Sequence, residues 1–135
     1  MPIITWSNDL SVNIKEIDSQ HKRLVDLINE LHDAMSVGKG NAILGKILSD
    51  LIGYTKTHFA DEERIMQVNG YPDFSKNKLE HDKLTKEVEE FKNQFDAGKA
   101  VVSIEIMKFL KNWLSNHIMK SDKQYTQFLN SKGVF

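Results

Sequence analysis

The feature that most constrains this chain is a set of histidine and carboxylate residues at positions where a helical repeat usually has leucine or valine. His58 and Glu62 are four residues apart, as are Asn77 and His81. Residues four apart lie on the same face of an α-helix, and apolar residues continue both faces. Burying imidazole or carboxylate groups without partners costs free energy. We therefore expect a chain that buries several of them together to hold a cation between them.

Apolar residues recurring at alternating four- and three-residue steps predict four long amphipathic helices. The first is expected to begin at an N-cap supplied by Asp18 or Ser19. The other three are expected to begin near Asn41, Phe74 and Val101. Glycine-containing segments at 38–40, 69–72 and 96–98 end the first three helices.

Short connections between these helices make consecutive helices antiparallel neighbours. The predicted fold class is therefore all-α, an antiparallel up-down-up-down four-helix bundle with an N-terminal arm. We expect a single domain over 1–135, in which residues 1–17 form the arm, anchored by Trp6, and residues 18–131 form the helical bundle.

The polar positions on the apolar seams fall at one end of this predicted bundle. They are His21, His58, Glu62, Asn77, His81, His117 and Asp122. His117 and Asp122 are five residues apart, so a regular helix cannot direct both side chains at one ion. We expect a bulge or a helix break between them. His32 lies about 16 Å from His21 along the helix axis, and we expect it to be structural.

The donor types at these positions indicate the class of metal. Neutral imidazoles combined with carboxylates suit first-row transition metals, above all iron, zinc, copper or manganese. Four histidines and two carboxylates exceed the needs of one tetrahedral ion. Carboxylates can also bridge two ions, which favours a dinuclear centre inside the bundle.

Composition excludes several other functions. The 135 residues include 18 Lys and Arg against 19 Asp and Glu, so no basic surplus is present to bind nucleic acid. No apolar run approaches the roughly 20 residues of a membrane span. The chain has no cysteine, which excludes disulfides and thiolate metal sites. The N-terminus lacks the pattern of a signal peptide, and we expect a cytoplasmic protein.

These motifs resemble the bacteriohemerythrins of the hemerythrin family. The resemblance covers essentially the whole chain and rests on the Asp-Ser-Gln-His21 segment, the segment His58-Phe-Ala-Asp-Glu62-Glu, the Gly-Tyr-Pro turn, the segment around His81, and His117 with Asp122. It implies a four-helix bundle that binds O₂ reversibly. The implied cofactor is a pair of iron ions, Fe²⁺ or Fe³⁺, with a bridging oxo or hydroxo group.

The resemblance also implies roles for individual residues. His21 and His58 would bind the iron that keeps an open position, and Glu62 and Asp122 would bridge the two ions. An apolar oxygen pocket would be lined by five residues that are equally compatible with an ordinary core. These are Leu24, Phe59, Trp113, Leu114 and Ile118.

The second iron is where this chain departs from the family pattern. His81 and His117 would bind it together with a third histidine, and this chain has Asn77 at that position. An amide on a shorter side chain is a poor substitute for imidazole on iron. We therefore expect the second iron to be held less tightly and oxygen carriage to be impaired or altered.

The function that this resemblance implies is oxygen carriage, storage or delivery, and we expect a monomer that passes O₂ to an oxygen-consuming enzyme. No catalytic residue is apparent, so we expect no enzymatic activity. A di-iron enzyme acting on peroxide, nitric oxide or a small substrate is also compatible with the sequence, and an extra open position beside Asn77 would favour it. An oxygen sensor and a metal-free or zinc-filled helical interaction module are compatible with the same pattern.

Overall fold

The chain folds into helices that pack side by side. The computed structural model describes residues 3–38, 41–99, 104–118 and 123–135, and these contain helices and no strand. A 3₁₀ turn at Asn8–Leu10 precedes α1 (Lys15–Ser36), α2 (Asn41–Val68), α3 (Phe74–Asp96), α4 (Ile104–Asn116) and α5 (Lys123–Ser131). Helix α1 packs on α2 and α4, and α2 packs on α3. The predicted four-helix bundle is confirmed.

The apolar seams predicted from the sequence form the core. Leu24, Ile28 and Leu31 of α1 are fully buried, as are Leu48 and Leu51 of α2. Burying one such side chain stabilises a fold by about 1.5–3 kcal/mol. The described helices include none long and apolar enough to cross a membrane.

The end of α2 shows how the chain reverses direction. The Tyr71 N–H donates to the Met66 carbonyl at 2.9 Å, and the Gly70 N–H donates to the Gln67 carbonyl at 3.1 Å. These two bonds close the helix end in a Schellman motif. Gly70 has a φ of +71°, a conformation that is strained for residues with a Cβ. The turn thus uses glycine to begin α3 antiparallel to α2.

The start of α1 differs from the prediction. The helix begins at Lys15, and Ile14 occupies the N-cap position without a side-chain hydrogen bond. This cap lies four residues before Asp18 and five before Ser19, the two predicted caps. Asp18 instead accepts hydrogen bonds from the Val12 N–H at 2.8 Å and from the Ser11 hydroxyl at 2.6 Å. The cap prediction was wrong because the Asp18 carboxylate holds the preceding arm.

Two further contacts hold the arm. Trp6 packs against the core, and the Lys22 ammonium lies 5.3 Å from the centre of its ring, so the predicted anchor is confirmed. Asn29 adds a backbone clamp that the sequence did not reveal. Its Oδ1 accepts from the N–H groups of Ile3 at 2.9 Å and Ile4 at 3.0 Å, and its Nδ2 donates to the Ile4 carbonyl.

The helix geometry changes beside the predicted site on α4. The regular α-helix ends at Asn116, and His117 and Ile118 adopt a π-helical conformation. These two residues lie at the start of the segment in which the sequence predicts a bulge or a helix break, and a π-helical turn is one form that such a bulge takes. The rest of that segment, including Asp122, lies outside the described residues.

Candidate metal centre

Five of the predicted side chains form two overlapping groups at one end of the bundle. One group contains His21, His58 and Glu62, and the other contains Glu62, His81 and His117. Within each group, one donor atom from every residue lies within 4.8 Å of the other two. Glu62 belongs to both groups. The arrangement can therefore place two ions next to each other with one carboxylate between them.

The first group lies between α1 and α2. The rings of His21 and His58 have centroids 4.6 Å apart. His21 Nε2 is 3.9 Å from Oε1 of Glu62, and His58 Nε2 contacts the same oxygen. On the outer side of the His58 ring, Nδ1 lies 2.6 Å from Oε1 of Gln20. His58 thus presents Nε2 to the carboxylate and Nδ1 to an amide.

The second group places His81 of α3 beside His117 at the end of α4, with ring centroids 5.0 Å apart. His81 Nδ1 lies 2.9 Å from Oε2 of Glu63, whose other oxygen is 3.8 Å from the Lys78 ammonium. His117 Nδ1 lies 3.6 Å from Oε1 of Glu80. Carboxylates on the outer nitrogens orient imidazoles so that Nε2 faces inward.

Glu62 is buried and negatively charged. Burial raises the pKa of its carboxyl group, but the adjacent His58, together with His21, lowers it by more and holds the pKa well below its usual range. The hydroxyl of Tyr125, which is also buried, donates to Oε2 of Glu62 at 2.6 Å. Both oxygens are therefore engaged, one by histidine and one by tyrosine.

The donors at this site fit transition-metal ions. Within the described part of the chain, Nε2 of His81 is buried and makes no hydrogen bond. A buried polar nitrogen without a partner costs free energy, and a metal ion bound to its lone pair removes that cost. Imidazole nitrogen with carboxylate oxygen is a donor set that suits iron, zinc, copper and manganese.

The structure describes the positions of all the predicted ligands except Asp122. The structure brings together His21, His58, Glu62, His81 and His117. As expected, His32 lies outside both groups; its Nδ1 is 3.8 Å from Oδ1 of Asp33. Asn77 is buried, and its Nδ2 donates to the Met66 sulfur at 3.3 Å. Its amide nitrogen is thus directed at a thioether.

The five predicted oxygen-pocket residues are all buried. These are Leu24, Phe59, Trp113, Leu114 and Ile118. Phe59 stacks on His81 with centroids 4.0 Å apart, and its ring centre is 5.1 Å from that of His117. Trp113 and His117 also line a cleft of about 500 Å³ between α3 and α4. Apolar side chains therefore contact the candidate ligands directly.

Sequence reasoning missed three side chains that touch the candidate ligands: Gln20, Glu80 and Tyr125. Gln20 and Glu80 each precede a site histidine on their own helix, yet each contacts a histidine on the next helix. A polar residue directly before a seam histidine is the signal that could have found them. Tyr125 continues an apolar seam, and a buried tyrosine hydroxyl usually has a partner.

The chain is similar to proteins of one family along nearly its whole length. Residues 12–129 match the family described as Hemerythrin HHE cation binding domain. The bacteriohemerythrin of Methylococcus capsulatus is 40% identical over 132 residues, covering 97% of this chain and 100% of the relative. That of Pseudomonas aeruginosa is 39% identical over 125 residues, covering 93% and 80%. A solved structure of wild-type hemerythrin has a TM-score of 0.89 at 40% identity, covering 94% of this chain and 98% of that chain.

Proposed function

Because the chain belongs to the hemerythrin family, we propose that it binds O₂ reversibly at two non-haem iron ions, for carriage, storage or delivery. The observation that carries this proposal is the position of Glu62 in both donor groups. One carboxylate within reach of two sets of histidines suits a pair of ions better than a single ion.

The proposed cofactor is iron, with a bridging oxo or hydroxo group. When bound, two ferrous ions would give electrons to O₂ on uptake and take them back on its release. The donor atoms all come from side chains near one end of the bundle. The proposed ligands are His21 and His58 for one ion, His81 and His117 for the other, and Glu62 and Asp122 for both.

The other residues near the site orient the donors and exclude water. The Tyr125 hydroxyl holds one oxygen of Glu62, so the carboxylate keeps a fixed direction. The buried pocket residues, among them Leu24, Phe59 and Leu114, admit a small apolar gas while keeping water and anions from the metals. Exclusion of water favours reversible binding over turnover.

Asn77 is proposed to make the second ion the weaker one. The histidine expected there by family resemblance is replaced by an amide whose nitrogen is directed at the Met66 sulfur. With one strong donor fewer, the ion at His81 and His117 is held less tightly, and oxygen carriage is altered.

A second candidate function is that of a di-iron enzyme acting on peroxide, nitric oxide or a small substrate. One observation favours it: the cleft of about 500 Å³ is lined by His117, on the side of the second ion. Steady consumption of hydrogen peroxide by the iron-loaded protein would support the enzyme. A stoichiometric reaction without further consumption supports the carrier.

The remaining parts of the proposal concern the protein as a whole. We infer one domain of 135 residues, acting as a cytoplasmic monomer that passes oxygen to an oxygen-consuming enzyme. The proposed domain agrees with a family match that runs without interruption from 12 to 129. Sedimentation of the iron-loaded protein tests the monomer, since a dimer would have twice the mass of 15.5 kDa.

The experiment that tests the main proposal measures iron content and the absorption spectrum before and after air. Anaerobically reduced protein is expected to bind two iron ions per chain at saturating iron. Its spectrum should change on adding O₂ and return when O₂ is removed. His58→Ala should lose iron, whereas His32→Ala, a histidine outside both groups, should keep it. Failure of the wild-type protein to bind iron, or an irreversible spectral change, would contradict the proposal.

A further inference from the structure

Three side chains, those of Asp61, Gln20 and His58, form a short hydrogen-bonded relay. Gln20 of α1 lies between two residues of α2: its Nε2 donates to Oδ2 of Asp61 at 2.9 Å, and its Oε1 lies 2.6 Å from Nδ1 of His58. Gln20 and Asp61 are half-buried, while His58 is buried. The relay thus connects the surface of α2 to the candidate metal centre through a residue of the neighbouring helix.

The chemistry of Asp61 decides how the relay is oriented. A carboxylate oxygen can only accept a hydrogen bond, so the Gln20 side chain must direct its NH₂ group at Asp61. Its carbonyl oxygen is then left for His58. Because that oxygen also only accepts, Nδ1 of His58 must carry the proton. Nε2, which contacts Glu62, is therefore the ring nitrogen whose lone pair is left for a metal ion.

The other end of the centre uses a different kind of partner. There Nδ1 of His81 faces the carboxylate of Glu63 directly, at 2.9 Å. A carboxylate on the outer nitrogen increases the basicity of an imidazole ligand, whereas a neutral amide does so less. In the His58 relay the negative charge of Asp61 is one residue further out. The two ends therefore orient their histidines alike but differ in the charge placed against the ring.

We propose that Gln20, oriented by Asp61, is a positioning residue that keeps the proton of His58 on Nδ1 and sets the strength of His58 as a metal ligand. The inference rests on the proposed metal centre, but it does not depend on which gas or substrate the centre binds. Replacing Gln20 should change how tightly the ion at His21 and His58 is held. It should leave the ion at His81 and His117 unchanged.

The test uses the full chain, with Zn²⁺ as a diamagnetic probe. Gln20→Leu removes the acceptor at similar volume. It should weaken zinc binding at one of two sites by about 10- to 100-fold, the usual effect of losing an outer partner. The Nδ1–H resonance of His58 in the NMR spectrum should disappear as well. Gln67→Leu makes the same change at an exposed position of α2 and should alter neither measurement.

A double variant separates the relay from simple packing. Gln20→Glu with Asp61→Asn exchanges the carboxylate and the amide, so the outer residue can donate to the inner one and the inner one can still accept from His58. This variant should retain the Nδ1–H resonance and bind zinc at least as tightly as the wild type. Binding as weak as in Gln20→Leu would overturn the proposal, as would a Gln20→Leu protein with normal affinity and an unchanged resonance.

The NMR measurement is repeated on metal-free protein, which separates this inference from the proposed function. A His58 Nδ1–H resonance that is present in the wild type and absent in Gln20→Leu supports the relay even if zinc and iron are bound poorly. In that case the metal proposal fails and the assigned proton position stands. Circular dichroism of each variant identifies any that does not fold. If Gln20→Leu does not fold, the zinc affinity and the Nδ1–H resonance of the double variant test the proposal.

Discussion

Asn77 is the residue that we propose makes the two ion sites unequal, since each site otherwise has two histidines and a share of Glu62. It lies in α3 one helical turn before His81, with only 5% of its surface exposed. Its one described side-chain hydrogen bond, from Nδ2 to the Met66 sulfur, goes to a weak acceptor. Replacing the amide therefore sacrifices little of the surrounding structure, and position 77 can be changed to test the metal site itself.

Asn77→His is expected to raise the metal content of the weaker site to that of the stronger one and to prolong the life of the oxygenated protein. The added imidazole supplies a strong nitrogen donor one turn from His81. Iron per chain and the decay of the oxygenated spectrum would be measured on both proteins, prepared identically. Asn93→His adds the same side chain at an exposed position of α3 and serves as the control. Equal iron content and equal decay for Asn77→His and the wild type would show that Asn77 does not weaken the ion at His81 and His117.

Single residues also mark the limit of what the sequence could predict. The level and face of His21, His58, Glu62 and His81 followed from helical spacing, since position along a helix fixes both. The residue that contacts Nδ1 of each site histidine could not be predicted from that spacing. Gln20 meets His58 only because two helices pack together, and spacing within one helix contains no information on that contact.

At the scale of helices, boundaries set by local backbone conformation were predicted correctly, and a boundary set by a tertiary contact was not. Glycine predicted helix ends correctly, because a positive φ is a local property of the backbone, as at Gly70 and Gly98. The predicted start of α1 was wrong, because the preference of Asp18 for capping its own helix lost to hydrogen bonds from the arm. Local rules hold until a tertiary contact offers the same side chain better partners.

Two glycine substitutions in and after α2 should have opposite effects on stability. A Cβ added at Gly53 or at Gly70 would meet no atom within 4 Å, so space does not distinguish the sites. Gly53→Ala, within the helix, should raise the free energy of unfolding by about 0.5–1 kcal/mol. Gly70→Ala, at a φ of +71°, should lower it by about 1–2 kcal/mol.

Denaturant unfolding of the metal-free proteins would measure both changes, so that metal binding does not contribute. Gly53→Ala serves as the control for Gly70→Ala, since the two variants add the same methyl group. A Gly70→Ala protein as stable as Gly53→Ala would show that the turn after α2 can relax to a negative φ. The assigned Schellman geometry would then not be a constraint on the fold.

At the scale of the whole molecule, the donors occupy one end of the bundle and the apolar core fills the rest. The end of α2, the starts of α1 and α3 and the residue directly after α4 supply all five described donors, while residues such as Leu31 and Leu48 form an apolar core. Metal binding should therefore stabilise the molecule unevenly. A ligand at 100 times its dissociation constant adds about 2.7 kcal/mol to the free energy of unfolding.

Chelating the iron is expected to increase amide hydrogen exchange chiefly near the metal centre. Amides around His58 and His81 should exchange faster, because the ions that tie their helices together are gone. Amides of α1 around Leu31 should change least, because they lie in the apolar core. Hydrogen-exchange mass spectrometry of loaded and metal-free protein measures both regions. A uniform increase over the chain would mean that the bundle unfolds as one unit and that the core does not stand without metal.

Glu62 gives the two ions unequal mechanical roles. Among the described ligands, those of the ion at His21 and His58 all belong to the hairpin of α1 and α2. Only the proposed ligand Asp122 would join this ion to the second half of the chain. The ion at His81 and His117 would take Glu62 from that hairpin and both histidines from α3 and α4, so it is a reversible cross-link between the two halves of the chain. A protease cut in the connection at 69–73 would leave halves joined by these coordinate bonds as well as by the packing of α1 on α4 and of α2 on α3. Releasing the ion at His81 and His117 would then remove the described coordinate bonds between the halves, so the proposed weaker hold beside Asn77 would make a cut molecule easiest to separate there.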